Sequence, residues 1–190
     1  MGDVSMGLFD RLRKSKQADD YPMPSIPFYA RDLLMDRFYG LQEKINKSGP
    51  LDVRLRYCEQ ALEILPDVIK KWNDEIEEEP IPPLIVCRDC APEWYGRLGK
   101  WDDAFRVIRF CVDCGAYTPA EGREALDLII VRKAASDAAL SYISNNPGCK
   151  QTDIYRALPH VDRDALKWFT RNSAMIWKEP AGKTNLLYVV

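Results

Sequence analysis

Apolar residues recur at three- and four-residue spacing over most of the chain, the period of helices that bury one face. Leu33, Leu34, Phe38, Leu41 and Ile45 form the first stripe, closed by Lys47-Ser-Gly-Pro50. Leu55, Cys58, Leu62 and Leu65 form a second, with Pro66 placed to start a further helix through Ile69, Trp72 and Ile76. Glu77-Glu-Glu79 and Pro80-Ile-Pro-Pro83 then read as a linker. Beyond it, Pro92–Leu98 and Asp102–Phe110 predict an antiparallel helix pair joined at Gly99. Thr118-Pro-Ala-Glu121 is a capping-box signature with proline at the first helical position, opening a helix toward Ala134 that joins two domains.

The pattern changes in the last third. Lys133–Ser144 puts Ala135, Ala139, Tyr142 and Ile143 on one face, and Asn145-Asn-Pro-Gly148 stops it. Ile154, Leu158 and Val161 predict a helix of about two turns over Gln151–Leu158. Asp162 is a good N-cap for Arg163–Arg171, with Ala165, Leu166 and Phe169 facing inward. Met175–Glu179 and Thr184–Val190 are apolar runs around Pro180-Ala-Gly-Lys183, which predicts a hairpin. The expected fold is therefore mainly α, with a small β-hairpin at the C-terminal end.

Two resemblances follow from these residues. Asn146–Leu158, His160-Val-Asp-Arg163 and Gly182–Tyr188 together resemble the winged helix-turn-helix of MarR-like bacterial regulators, over about sixty residues. The resemblance implies that the second helix of the motif reads bases while the wing touches phosphate or the minor groove. Carried over by position, it places Arg163 and Lys167 on the reading helix and Gln151 and Thr152 at the start of the supporting helix. Lys178, Lys183, Thr184 and Asn185 flank or form the wing. The family usually has a small hydroxyl residue where Lys150 stands, and a glycine where Ser173-Ala174 stands. Asp162 and Asp164 bracket Arg163, and carboxylates there repel phosphates. The second resemblance is to a tetratricopeptide repeat: Tyr95, Gly99, Trp101 and Ala104 fill its aromatic, turn and small positions, with Ile108 in the core. Leu55–Pro66 resembles the second half of another such repeat. Two units fall below the three a free-standing solenoid needs, so the region is TPR-like and not an array.

Charge separates the two regions. From Arg132 onward nine Lys/Arg stand against five Asp/Glu, whereas the rest carries eighteen against twenty-four. A basic tail on an acidic body is the asymmetry of a nucleic-acid binder. Hydrophobic content of 46% is ample for a core, and no apolar run reaches the length of a membrane span. Met6–Lys14 groups Leu8, Phe9 and Leu12 on a basic segment that can lie on a membrane or a partner. One short segment binds a membrane only marginally, so residues 1–26 are read as a flexible tail. No apolar secretory signal precedes it, and six cysteines without one point to the cytoplasm and reduced thiols.

Cys87-Arg-Asp-Cys90 and Cys111-Val-Asp-Cys114 lie twenty residues apart, the spacing of a four-thiolate structural zinc site. Both pairs fall at the open end of the expected helix pair. The competing reading is that they pack as small apolar side chains. Cys58 and Cys149 read as ordinary thiols. No βαβ pattern surrounds either pair to suggest redox work, and no phosphate loop, nucleophile elbow or HExxH suggests catalysis. His160, the sole histidine, sits in the turn of the helix-turn-helix. The expected organisation is thus a tail (1–26), a TPR-like helical domain with a candidate zinc site (27–118), and a linking helix with a winged helix (119–190). The expected function is a non-enzymatic DNA-binding regulator whose helical domain binds a protein or peptide, with a homodimer as a further possibility. The alternative is an adaptor in which both domains contact proteins.

Overall fold

A computed structural model of the chain describes residues 32–47, 49–75, 84–182 and 184–190. The N-terminal tail, the acidic and proline-rich linker, Ile76 and Lys183 lie outside the described residues. Among those described, seven helices and three short strands follow one another. They are α1 (Leu33–Lys47), α2 (Leu51–Glu75), α3 (Val86–Arg97), α4 (Trp101–Asp113), α5 (Pro119–Asn145), β1 (Cys149–Lys150), α6 (Gln151–Ala157), α7 (Arg163–Asn172), β2 (Ile176–Ala181) and β3 (Thr184–Val189). The protein is mainly helical, with a three-stranded antiparallel sheet in the order β1-β3-β2.

The helices differ from expectation at two prolines. Pro66 does not start a helix; it lies inside the 25-residue α2. Proline there forfeits the bond its N–H would make to the Leu62 carbonyl, at a cost of about 3 kcal/mol. Leu62, Ile64, Leu65, Val68 and Ile69 are buried on both sides of it, and each is worth about 1.5–3 kcal/mol. Burial wins. Likewise α3 begins at Val86 and carries Pro92 within it, so Cys87 and Cys90 lie on the helix and not ahead of it. Here the orphaned carbonyl is that of Arg88, and the Tyr117 hydroxyl donates to it at 3.3 Å.

The hairpin α3–α4 turns at Gly99, whose φ of 72° is the left-handed conformation that glycine favours. The Lys100 amide returns to the Tyr95 carbonyl at 2.9 Å, closing the end of α3. Tyr95, Trp101, Ala104 and Ile108 are all buried. The capping box at Thr118 forms as expected: its hydroxyl accepts from the Glu121 amide, and the Glu121 carboxylate accepts from the Thr118 amide at 2.8 Å. The helix it opens runs unbroken through Lys133 to Asn145, joining two stretches that read separately in the sequence. Asn145 and Asn146 then donate to the carbonyls of Ser141 and Tyr142, both at 2.9 Å.

One core cluster runs from Phe38 in α1 to Leu187 in β3, so Leu33–Val190 forms one compact unit. No described helix is long and apolar enough to cross a membrane.

Candidate functional site

Helix α7 has two unlike faces. Ala165, Leu166, Trp168 and Phe169 are buried, and the helix seats on α5. Trp168 anchors it: the Arg132 guanidinium lies 4.5 Å over its ring, and the Trp101 ring centroid is 6.3 Å away. The opposite face carries Arg163, Lys167 and Arg171, four residues apart along the helix. Their Cα positions step through only about 80° of arc while rising about 12 Å, so they form a stripe. Asp162 caps the helix, accepting from the Ala165 amide at 2.7 Å. That is the role its position predicts, and its carboxylate is engaged at the helix start although the residue stays exposed. Asp164 stays exposed and takes a 2.7 Å bond from Lys167, which holds its carboxyl below the usual value.

Helix α6 supports α7. The Arg163 guanidinium lies 5.3 Å over the Tyr155 ring, which holds its side chain beside α6. Gln151 is turned inward, its amide donating to Tyr155 and, at 2.5 Å, to the Thr170 hydroxyl. Thr152 is exposed. Lys150 lacks the hydroxyl of a usual cap, but its backbone amide is taken by the Asp153 carboxylate at 3.0 Å.

The hairpin pairs Ile176 with Val189 through to Ala181 with Thr184, leaving a two-residue turn that includes Gly182 at φ 65°. Pro180 and Ala181 therefore belong to β2 and not to the loop. Strand β1, absent from the sequence expectation, pairs Cys149 with Leu187 and Lys150 with Leu186. Lys178 reaches back from β2 and donates to the Arg171 carbonyl at 2.8 Å, neutralising the C-terminal end of α7. Burial lowers its pKa. Thr184 and Asn185 stand beside it. With Gln151, Thr170 and Arg171 they line a cleft of about 270 Å³. Four residues carried over from the family pattern, Gln151, Lys178, Thr184 and Asn185, thus meet in one place. Arg163, Lys167 and Thr152 do not line it. Arg171 and Thr170 were missed by the sequence reading, although the four-residue step from Arg163 through Lys167 points straight to Arg171.

The cysteine region is built differently. Cys87 and Cys111 are wholly buried, and Cys90 and Cys114 partly so. Burial drives the Cys87 and Cys111 thiols well above their ordinary pKa, with Cys58 and Cys111 as further influences on Cys87. Burial pushes Cys58 and Cys90 to about 12, and the neighbouring Cys90 adds to the rise at Cys58. Among the described residues no three His, Cys, Asp or Glu side chains gather as a metal-binding group.

The residues between Cys87 and Cys90 form a buried polar centre. Arg88 donates from Nε to Asp89 Oδ1 at 2.6 Å and from Nη2 to Oδ2 at 3.0 Å. Its Nη1 donates to the Ala116 carbonyl at 2.7 Å, which ties α3 to the α4–α5 connection. Asp89 also accepts from the Ile85 amide at 2.9 Å and from the Tyr117 hydroxyl at 3.2 Å. Arg88 and Asp89 are only 7% and 2% exposed, so this pair is a fully wired, buried ion pair. A second, partly buried set joins Glu93 to Arg97 at 2.6 Å and to Arg132 at 3.2 Å. Burial works against the Glu93 charge, but Arg132 and Arg97 outweigh it and hold the carboxyl below its ordinary value.

Compared with protein-family models, curated proteins and solved structures, the chain finds no match in any of the three.

Proposed function

We propose that the chain is a non-enzymatic DNA-binding regulator, with the outer face of α7 set against duplex DNA and the β2–β3 hairpin beside it. The observation that carries this is the stripe of Arg163, Lys167 and Arg171 on a helix whose other face is locked down by Leu166, Trp168 and Phe169. Cations on a rigid, outward helix meet phosphates without the entropy cost of ordering a loop. The order helix–strand–helix–helix–strand–strand, with its β1-β3-β2 sheet, supports taking residues 119–190 as a winged helix. The buried Tyr95, Trp101, Ala104 and Ile108 around Gly99 support a TPR-like hairpin in the body, the part that takes a protein partner.

A second reading has its own support. Trp177 is 54% exposed on the outer sheet face, 5.4 Å from the Tyr188 ring, and an exposed aromatic pair suits a protein contact. Under it the chain is an adaptor that binds no DNA.

Fluorescence anisotropy of the full chain with a labelled mixed-sequence duplex, over a salt series, separates the two. The DNA reading predicts binding that weakens steeply with salt, and a slope reduced by roughly two in Arg163→Ala/Lys167→Ala. Absence of binding at low salt, or a double variant that binds like the parent, would sink it in favour of the adaptor.

A further inference from the structure

The cleft between the end of α7 and the hairpin has an unusual lining. Two cationic residues, Arg171 and Lys178, line it together with Thr184 and Asn185, and among the described residues no Asp or Glu lines it. Thr170 and Gln151 form its remaining polar wall but are already engaged. The Thr170 hydroxyl serves the Leu166 and Lys167 carbonyls at 3.0 and 3.2 Å and accepts from Gln151. The other four keep donors to offer. Lys178 gives one N–H to the Arg171 carbonyl and retains two. Among the described residues the Arg171 guanidinium makes no side-chain hydrogen bond or ion pair. Lys178 is partly desolvated, and among the described residues no carboxylate pairs with it.

Donors of four kinds, converging from a helix end and two strands, match an acceptor with oxygens pointing several ways. A carboxylate offers two oxygens in one plane; a phosphate offers three or four around a tetrahedron. Arginine's fork takes two phosphate oxygens side by side, while lysine acts as a point charge. The exposed carbonyl end of α7 would repel an anion, and Lys178 is bonded to that carbonyl end, screening it. A volume of about 270 Å³ far exceeds the roughly 30 Å³ share of one water, leaving room for a phosphate and part of its ester.

We infer that this cleft is a binding site for a phosphate oxyanion, held by Arg171, Lys178, Thr184 and Asn185. The phosphate belongs either to a nucleic-acid backbone, which rests on the DNA reading, or to a free phosphate ester, which does not.

The test is a titration of the isotopically labelled full chain with inorganic phosphate, against sodium chloride at matched ionic strength. It follows the Asn185 side-chain amide, the Thr184 backbone amide and the Arg171 Nε–H by NMR. Saturable shifts confined to these groups are expected with phosphate and not with chloride. Arg171→Gln, an exposed position whose change leaves the fold intact, weakens the response at least about tenfold. A second arm adds phosphate to the DNA complex. Release of duplex at constant ionic strength assigns the site to backbone phosphate; an undisturbed complex with the same phosphate shifts assigns it to a free ester. Shifts that do not saturate, that chloride reproduces, or that persist unchanged in Arg171→Gln overturn the site. Because the first arm contains no DNA, its failure is distinct from failure of the DNA reading.

Discussion

The same side chains do opposite work in the two ends of this molecule. In the helical body, Arg88 and Asp89 are adjacent in sequence and buried, each satisfied by the other and by a backbone group, the Ala116 carbonyl for Arg88 and the Ile85 amide for Asp89. In the C-terminal part, Arg163 and Asp164 are likewise adjacent but exposed, with the carboxylate on a neighbouring lysine and the guanidinium over a tyrosine. The first pair fixes where α3 begins relative to the α4–α5 connection. The second leaves charge on the surface. Sequence adjacency of an arginine and an aspartate therefore carries no information about role; burial does. Glu93, Arg132 and Trp168 form the joint between the regions, since Trp168 belongs to α7 and the other two to α3 and α5.

The largest effect that would break the comparison comes from matched substitutions at the two aspartates. Asp89→Ala leaves Arg88 buried and uncompensated, and urea denaturation should show a loss of about 3–5 kcal/mol. Asp164→Ala should leave the denaturation midpoint where it is and tighten DNA binding, because it removes a negative charge from the basic stripe. Equal stability losses would erase the distinction. Next comes the joint. Trp168→Leu forfeits the stacking of Arg132 and the contact with Trp101, a loss of about 2 kcal/mol by the same assay. An unchanged midpoint would mean that α7 is held by its aliphatic residues alone.

Acid should find the joint as well. The Glu93 carboxyl titrates below its ordinary 4.5, so its ionised form stabilises the fold at neutral pH. That contribution is lost as pH falls through the lowered value. Glu93→Gln should flatten this part of the stability-against-pH curve; an identical acid limb in the variant would show that other carboxyls set it. The smallest effect is local. Thr118→Ala removes the reciprocal cap of α5 and should cost about 1 kcal/mol, with α7 and the hairpin undisturbed.

Much of this architecture is legible in residue spacing because most elements are amphipathic and end on recognisable signals. Asp162 as a cap, Thr118-Pro as a helix start and Asn145-Asn-Pro-Gly148 as a stop each do what local chemistry dictates. The departures occur where tertiary packing overrides a local rule. Pro66 and Pro92 look like helix starts, yet core residues flank the first and Tyr117 supplies the donor that serves the carbonyl left open by the second. The short strand β1 has no signal of its own; it exists because Leu186 and Leu187 offer an edge to Cys149 and Lys150. The candidate site was half legible. Gln151, Lys178, Thr184 and Asn185 do converge, but Gln151 faces inward and Lys178 holds a helix end, neither of which spacing can reveal. Between Cys87 and Cys90, Arg88 and Asp89 make a buried network that the cysteine spacing does not announce. Elemental analysis of untagged protein addresses the thiols directly: about one zinc per chain would support a four-thiolate site at Cys87, Cys90, Cys111 and Cys114, and well under one would favour packing.

The central claim is that charge is inward and structural in the body but outward and ligand-directed at the C-terminal end. Hydrogen-exchange mass spectrometry of the full chain, with and without a DNA duplex at low salt, tests it most directly. The account predicts added protection over α7 and the β2–β3 hairpin, with the α3–α4 hairpin exchanging as in the free protein. Protection centred on α3 and α4, or none anywhere at saturating duplex, would contradict it.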